Sequence, residues 1–185
     1  MRRLRSSAVA IATLLGALTS CGGDGNEPPN ASAASTSTAT TSVVASSMPP
    51  GDDTSITEIV DGDTVWVEAD LKVRLIGIDT PETRDPRQPV ECYGPEATRQ
   101  IAELIPPATP VRLVYDADRF DQYGRTLAYV YRRSDGLFIN AELLRGGFAT
   151  TLAVPPNVMH SDEFVAIEHD ARNAGRGMWS TCENV

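Results

Sequence analysis

RLIGIDTPET, residues 74–83, is the most informative run of the sequence. It continues an alternating apolar segment from Leu71, which predicts a β-strand over residues 71–78 with Arg74 on one face. A charged group on a strand is held more rigidly than one on a loop. The run therefore places a positioned cation just before three oxygen-bearing side chains, those of Asp79, Thr80 and Glu82.

Two other short runs add to this cluster. Asp63 lies in DGDTV, residues 61–65, and Arg125 follows Tyr123 and Gly124 in DQYGRTLAYVY, residues 121–131. The glycine would let the turn before Arg125 fold back toward the first arginine. Two arginines, three carboxylates and no obvious nucleophile together suggest metal-assisted attack on a phosphate.

Each residue type suits a step of that chemistry. Asp63, Asp79 and the carbonyl of Thr80 are hard oxygen donors of the kind that Ca²⁺ takes. Glu82, on a turn fixed by proline, could accept a proton from water. Arginine forks onto two phosphate oxygens and can stabilise the charge of the transition state. The same residues could instead form a plain ion-pair network, and composition does not exclude that alternative.

The N-terminal region predicts export. Three arginines precede an apolar run, residues 8–18, that is too short to span a bilayer as a mature helix. Leu18-Thr19-Ser20-Cys21 then resembles a bacterial lipobox, so residues 1–20 are predicted as a signal peptide and Cys21 as a lipidated residue. An ordinary cleaved signal peptide is the alternative. A lipidated chain would be held at the extracytoplasmic face of the bacterial cell membrane, or be released from it.

Residues 21–53 are rich in Ser, Thr, Ala, Pro and Gly and show no periodicity, which predicts a disordered tether. Residues 54–185 are enough for one domain. Alternation and turn signals predict five strands, at 55–59, 64–68, 71–78, 111–115 and 125–132. Helical spacing predicts helices from about 93 to 105, over 139–145, and over 161–174 with Ser161 as its cap. This order indicates an α+β fold, a five-stranded barrel of the oligonucleotide-binding (OB) type with about three packed helices.

Charge and cysteine content restrict the binding modes. The chain carries a net charge of −9, and residues 54–185 hold 21 acidic against 13 basic residues. Bulk charge therefore cannot hold nucleic acid, so a local cluster and a metal would have to do so. Cys92 and Cys182 form an even pair in an exported chain and predict a disulfide, with two separate thiols as the alternative. A zinc site is disfavoured, because the cysteines and the two histidines lack paired ligand spacing.

The runs DGDTV, RLIGIDTPET, YGPEAT and DQYGRTLAYVY, in this order, resemble the staphylococcal nuclease (thermonuclease) family over about residues 56–179. The resemblance implies calcium-dependent cleavage of DNA and RNA that leaves 5′-hydroxyl and 3′-phosphate ends. We expect the protein to be a monomer. It implies calcium ligation by Asp63, Asp79 and the Thr80 carbonyl. It also implies a general-base or water-positioning role for Glu82, catalytic roles for Arg74 and Arg125, and a substrate contact for Tyr123.

Two departures from the family pattern concern substrate binding. Gln122 stands where the best-known member has a phosphate-binding lysine, and TTLAVPPN, residues 150–157, stands where that member has a pair of tyrosines against a base. Base stacking contributes about 1–3 kcal/mol per base. The competing functions are a non-catalytic oligonucleotide- or protein-binding barrel and a structural envelope lipoprotein. All five catalytic-type side chains are present, which favours the nuclease: Asp63, Arg74, Asp79, Glu82 and Arg125.

Overall fold

The computed structural model describes residues 48–84 and 89–183. The predicted signal peptide, Cys21 and most of the predicted tether lie outside these residues. Among the residues that the structure describes, no helix combines the length and the apolar character that crossing a membrane requires.

The fold is an α+β barrel, which confirms the predicted class. Five strands close the barrel: β1 (Asp52–Ile59), β2 (Thr64–Val67), β3 (Leu71–Leu75), β5 (Pro110–Val114) and β6 (Thr126–Arg132), in the order β1-β2-β3-β6-β5. Two short strands, β4 (Gly77–Asp79) and β7 (Thr150–Leu152), pair separately. The helices are α1 (Gly94–Leu104), α2 (Ile139–Arg145), α3 (Ser161–Asn173) and the one-turn α4 (Met178–Thr181).

The core lies inside the barrel and under the helices. The inward residues of each strand are fully buried, as Val65 and Val67 of β2 and Val73 of β3 show. Phe164 of α3 and Ile101 of α1 are equally buried and cover the barrel. In β3, fully buried positions alternate with less buried ones, as period-2 patterning predicts for a strand with one face in a core.

The single strand predicted over residues 71–78 is wrong, because the chain breaks at Ile76. Gly77 has a φ of +79°, and β4 then leaves the barrel to pair with β7. Hydrogen bonds satisfy both backbone polar groups of Ile76 at the break. Its N–H donates to the Ala128 carbonyl at 3.0 Å, and its carbonyl accepts from the buried Asn140 side chain at 2.8 Å. Apolar alternation continued through the break and hid it from the sequence pattern.

The start of β1 and the cap of α3 also differ from the sequence prediction. β1 begins at Asp52 rather than Ser55, since Asp52 to Ser55 pair with β5 and Arg112 donates to both Asp53 carboxylate oxygens at 2.7 and 3.0 Å. At α3, Ser161 is the first helical residue and not the cap. His160 takes the cap position, with its Nδ1 2.8 Å from Glu163 Oε2.

A disulfide joins Cys92, just before α1, to Cys182, just after α4, with the Cα atoms 6.0 Å apart. It therefore fastens the two ends of the helical layer to each other across 90 residues of chain.

Candidate active site

Barrel register brings the two arginines together from distant parts of the chain. Arg74 on β3 pairs with Thr64 on the neighbouring strand β2, and Thr64 directly follows Asp63. β3 also pairs in parallel with β6, where Val73 lies opposite Thr126. Arg125, the residue before Thr126, is therefore presented beside Arg74, as the position of Gly124 predicts.

Asp63 is buried at the centre of the cluster. Its Oδ2 accepts hydrogen bonds from the Thr80 backbone N–H at 2.8 Å and from the Thr80 hydroxyl at 2.9 Å. Its Oδ1 accepts from the Thr64 hydroxyl at 3.1 Å and forms an ion pair with Arg74 Nη1. Buried carboxylates need such partners. The bonds to Thr80 hold Asp63, directly before β2, against Thr80, directly after β4.

Arg74 links the two predicted metal-ligand carboxylates. Besides Asp63, its guanidinium donates from Nη2 to Asp79 Oδ1 at 2.6 Å and to the Ile78 carbonyl at 3.2 Å. Burial lowers the pKa of the guanidinium, and the Asp79 carboxylate opposes that effect. Arginine keeps its charge at neutral pH even so, so a forked cation stands fixed between two carboxylates.

Glu82 lies on the loop that follows Thr80. Its Oε1 accepts from the backbone N–H groups of Thr83 at 2.8 Å and Arg84 at 2.6 Å. Its own backbone N–H donates to Glu91 Oε2 at 2.9 Å. The side chain is thus oriented by its own loop rather than extended freely into solvent.

Arg125 is oriented by a carboxylate in the same turn. Its Nε donates to Asp121 Oδ2 at 2.5 Å, and its backbone N–H donates to Asp121 Oδ1 at 2.9 Å. Tyr123 is mostly exposed, with its ring 5.5 Å from the Arg125 guanidinium carbon. The predicted substrate contact therefore stands next to Arg125 at the surface.

One pocket of about 220 Å³ collects most of the predicted residues. Four carboxylates, two guanidiniums and two threonines line it: Asp61, Asp63, Asp79, Glu82, Arg74, Arg125, Thr64 and Thr80. A second pocket of about 490 Å³ shares both arginines and continues along residues 118–122 and 152–157. A polar cleft that opens into a longer, partly apolar groove suits a chain-like anionic substrate.

Comparisons with known proteins show the family of the chain. A family model described as staphylococcal nuclease homologue matches residues 72–181. The chain belongs to the staphylococcal nuclease family. It is 35% identical to a thermonuclease of Staphylococcus hyicus over 68% of this chain and 74% of that protein. It is 36% identical to a thermonuclease of Staphylococcus intermedius over 70% and 77%, and 37% identical to endonuclease YncB of Bacillus subtilis over 68% and 61%.

Two residues of this staphylococcal nuclease domain were missed by the sequence patterns. Asp61 is not among the predicted site residues, yet it lines the smaller pocket and its Oδ1 accepts a hydrogen bond from the Asp63 N–H at 3.2 Å. Burial raises the pKa of Asp61, against hydrogen bonding from Thr64 and the charge of Arg74. The signal was available, because DGDT carries two carboxylates that a tight turn keeps close together.

Asp121 is the second missed residue. Partial burial favours its neutral form, but the hydrogen bonds from the Arg125 guanidinium and from the backbone of Arg125 and Tyr123 outweigh it, and the pKa is lowered. The Asp-x-x-x-Arg spacing within a turn could have suggested this pair.

The donor set of the staphylococcal nuclease site fits a hard divalent cation. In residues 48–84 and 89–183, no group of three or more acidic, histidine or cysteine side chains is arranged as a metal cluster. The pocket nevertheless holds four carboxylates against two guanidiniums, and Asp63 and Asp79 share a single arginine. Oxygen-only donors with excess negative charge are what Ca²⁺ sites provide, with carbonyls and water completing the shell.

Proposed function

We propose that the chain is a calcium-dependent phosphodiesterase that cleaves DNA, RNA or both by metal-assisted attack of water, leaving 3′-phosphate and 5′-hydroxyl ends. Its family membership makes it a nuclease hydrolase. The observation that carries this proposal is the pocket in which Asp63, Asp79, Thr80 and Glu82 lie together with Arg74 and Arg125.

The arginines act on the phosphate. Arg74 is held rigidly by two carboxylates and a carbonyl, and Arg125 by Asp121, so neither side chain has to be ordered when substrate arrives. Guanidinium groups fixed in this way can favour the crowded, more negative transition state over the ground state. They also neutralise a backbone that the net acidic surface would otherwise repel.

Glu82 is proposed to orient or deprotonate the attacking water. Its Oε1 is held by two backbone N–H groups, which fixes the carboxylate at the rim of the pocket. Asp63, Asp79 and the Thr80 carbonyl would hold Ca²⁺, with Asp61 as a further carboxylate of the same pocket. Bound Ca²⁺ would neutralise a phosphate oxygen and help to orient water.

The larger pocket is proposed to take the adjoining nucleotide. Gln122, Leu152 and Val154 line it, so its wall lacks the lysine and the tyrosine pair of the best-known family member. Phe120 also lines it and is 62% exposed, which makes it available for stacking on a base. We therefore expect weak substrate binding, measured as a high KM, together with an intact reaction centre.

The protein is further proposed to act as a monomer at the extracytoplasmic face of the cell membrane, anchored by lipid at Cys21. The lipobox-like run before Cys21 supports this proposal. Mass spectrometry of the mature N-terminus would show a diacylglycerol-modified cysteine. A free or differently cleaved N-terminus would contradict it.

Activity assays with and without a calcium chelator test the reaction. Wild type should cleave labelled DNA or RNA oligonucleotides in Ca²⁺, lose activity in EGTA, and leave 3′-phosphate ends. Glu82→Gln should lower kcat by about 10²–10⁴-fold, the usual contribution of general acid–base catalysis, with an unchanged thermal unfolding midpoint.

The outcomes separate the alternatives. Binding of oligonucleotide without cleavage would favour a non-catalytic barrel. Cleavage that survives EGTA would contradict the calcium proposal while leaving the nuclease assignment in place.

A further inference from the structure

Glu91 is joined to Glu82 by two reciprocal hydrogen bonds. The backbone N–H of Glu82 donates to Glu91 Oε2 at 2.9 Å, and the backbone N–H of Glu91 donates to the Glu82 carbonyl at 2.9 Å. Both polar groups of the Glu82 backbone are therefore bonded to Glu91, which lies on the returning arm of the loop, residues 91–94. The two bonds restrict the direction in which the Glu82 side chain leaves the backbone.

The returning arm also packs tightly on the Glu82 loop. Gly94 N–H donates to the Glu91 carbonyl at 3.1 Å. A Cβ on Gly94 would lie 2.6 Å from Thr83 Cγ2 and 2.9 Å from the Pro81 carbonyl oxygen, so a larger residue would push the loop away. Residues 91–94 thus form a surface against which residues 81–83 are held.

The disulfide attaches this arm to a buried part of the fold. Cys92, next to Glu91, is bonded to Cys182 directly after α4. Met178 at the start of α4 is buried, and its N–H donates to the Gly147 carbonyl at 2.9 Å. The Cys182 N–H continues the chain of contacts by donating to the Met178 carbonyl at 2.9 Å.

We propose that Glu91 is a positioning residue for Glu82, and that the Cys92–Cys182 disulfide holds Glu91 in place. The inference rests on the proposed catalytic role of Glu82. Glu91 acts through its carboxylate oxygen as a hydrogen-bond acceptor, not through its negative charge. Through the disulfide, α4 restrains the segment that carries Glu91, and Glu91 in turn restrains Glu82, the residue proposed to activate water.

Glu91→Ala and Glu91→Gln separate positioning from charge. Glu91→Ala removes the acceptor and should lower kcat by about 10- to 100-fold, since a displacement of the order of 1 Å costs about 10²-fold, with KM for a DNA oligonucleotide unchanged. Glu91→Gln keeps an oxygen acceptor without the charge and should retain kcat to within about threefold. Equal losses in both variants would overturn the acceptor argument.

A double-mutant cycle tests whether Glu91 acts through Glu82. In the Glu82→Gln background, Glu91→Ala should cause no further loss of kcat, because the group that it positions is already gone. The same fold-loss in both backgrounds would show that Glu91 acts elsewhere and would overturn the proposal.

The role of the disulfide is tested with the double variant Cys92→Ser/Cys182→Ser, assayed well below its unfolding midpoint. It should lower kcat with KM unchanged, and combining it with Glu91→Ala should add little. Arg112→Ala is the matched control, because it removes the Asp53 ion pair outside both pockets; it should lower the unfolding midpoint and leave kcat intact. Full kcat in the double serine variant would overturn the role of the disulfide.

The kinetic outcomes also distinguish a failure of this inference from a failure of the proposed function. An active wild type with full kcat in Glu91→Ala overturns this inference alone. A wild type that cleaves no nucleic acid overturns the proposed function and this inference together.

Discussion

At the scale of single residues, Arg74 shows what side-chain geometry adds to charge. It reaches Asp63, Asp79 and the Ile78 carbonyl at once, which requires a planar group with several donors. The residue could be found from sequence, because it stands on a strand in a specific motif. Its bridging of the two carboxylates could not, since that depends on the distance between two strand ends.

Arg74→Lys is expected to lower kcat by about 10²–10³-fold, the range seen when one donor to a developing negative charge is removed. A lysine ammonium keeps the charge but cannot fork to both carboxylates and a carbonyl. Initial rates at saturating substrate would measure the effect, and circular dichroism would check folding. A folded variant within about threefold of the wild-type kcat would contradict the assigned role.

At the scale of elements, the clearest lesson is the break between β3 and β4. The bounds of α2 agree with the predicted 139–145, since apolar spacing and a glycine directly after the helix are local signals. The break at Ile76 depends on Asn140 and Ala128, which are far away in sequence. The early start of β1 likewise depends on β5 and Arg112, because two aspartates at residues 52 and 53 carry no strand signal of their own.

Gly77→Ala should destabilise the protein more than Gly124→Ala. Both glycines have a positive φ, +79° and +78°, so each alanine costs about 1–2 kcal/mol of backbone strain. At Gly77 the added Cβ would also lie 2.6 Å from Phe164 Cε2, and such overpacking costs about 1–3 kcal/mol more. At Gly124 nothing lies within 4 Å.

Urea denaturation of both variants would measure the difference in the free energy of unfolding. Equal losses would mean that the Phe164 ring gives way without cost and that close packing is not what fixes the break at this position.

At the scale of the whole molecule, ion pairs on several elements set the response to acid. The Arg112 hydrogen bond lowers the pKa of Asp53, and the Arg132 hydrogen bond lowers that of Asp135 to about 2. Asp121 is shifted in the same direction. The unfolded chain, with aspartate pKa values of about 3.9, binds protons first as the pH falls. These groups therefore stabilise the fold above that pKa and lose their effect as the pH approaches 2.

The free energy of unfolding should stay nearly constant from pH 7 to 5 and then fall between about pH 4 and 2. Asp61 works in the opposite direction, because its raised pKa makes the folded state the better proton acceptor. Chemical denaturation at a series of pH values would measure the curve. Asp135→Asn should make the acid limb shallower, and a steep loss above pH 5 would show that other groups control stability.

The family and the fold class are both confirmed. They could be predicted because ordered motifs and strand alternation are visible in a single sequence. The carboxylates Asp61 and Asp121 escaped notice for a physical reason: each acts through a neighbour, one beside Asp63 and one on Arg125, and turn composition alone does not distinguish such an aspartate from a solvated one.

The parallel pairing of β3 with β6 has a consequence for biosynthesis. Arg74 and Arg125 come from opposite sides of the α1 segment and meet only through that pairing. A chain that emerges from the ribosome N-terminus first has no complete reaction centre until the residues of β6 exist and the barrel can close. If Arg74 and Arg125 act together as proposed, an unfinished or unfolded polypeptide is therefore expected to leave the nucleic acids of the cell that makes it uncut.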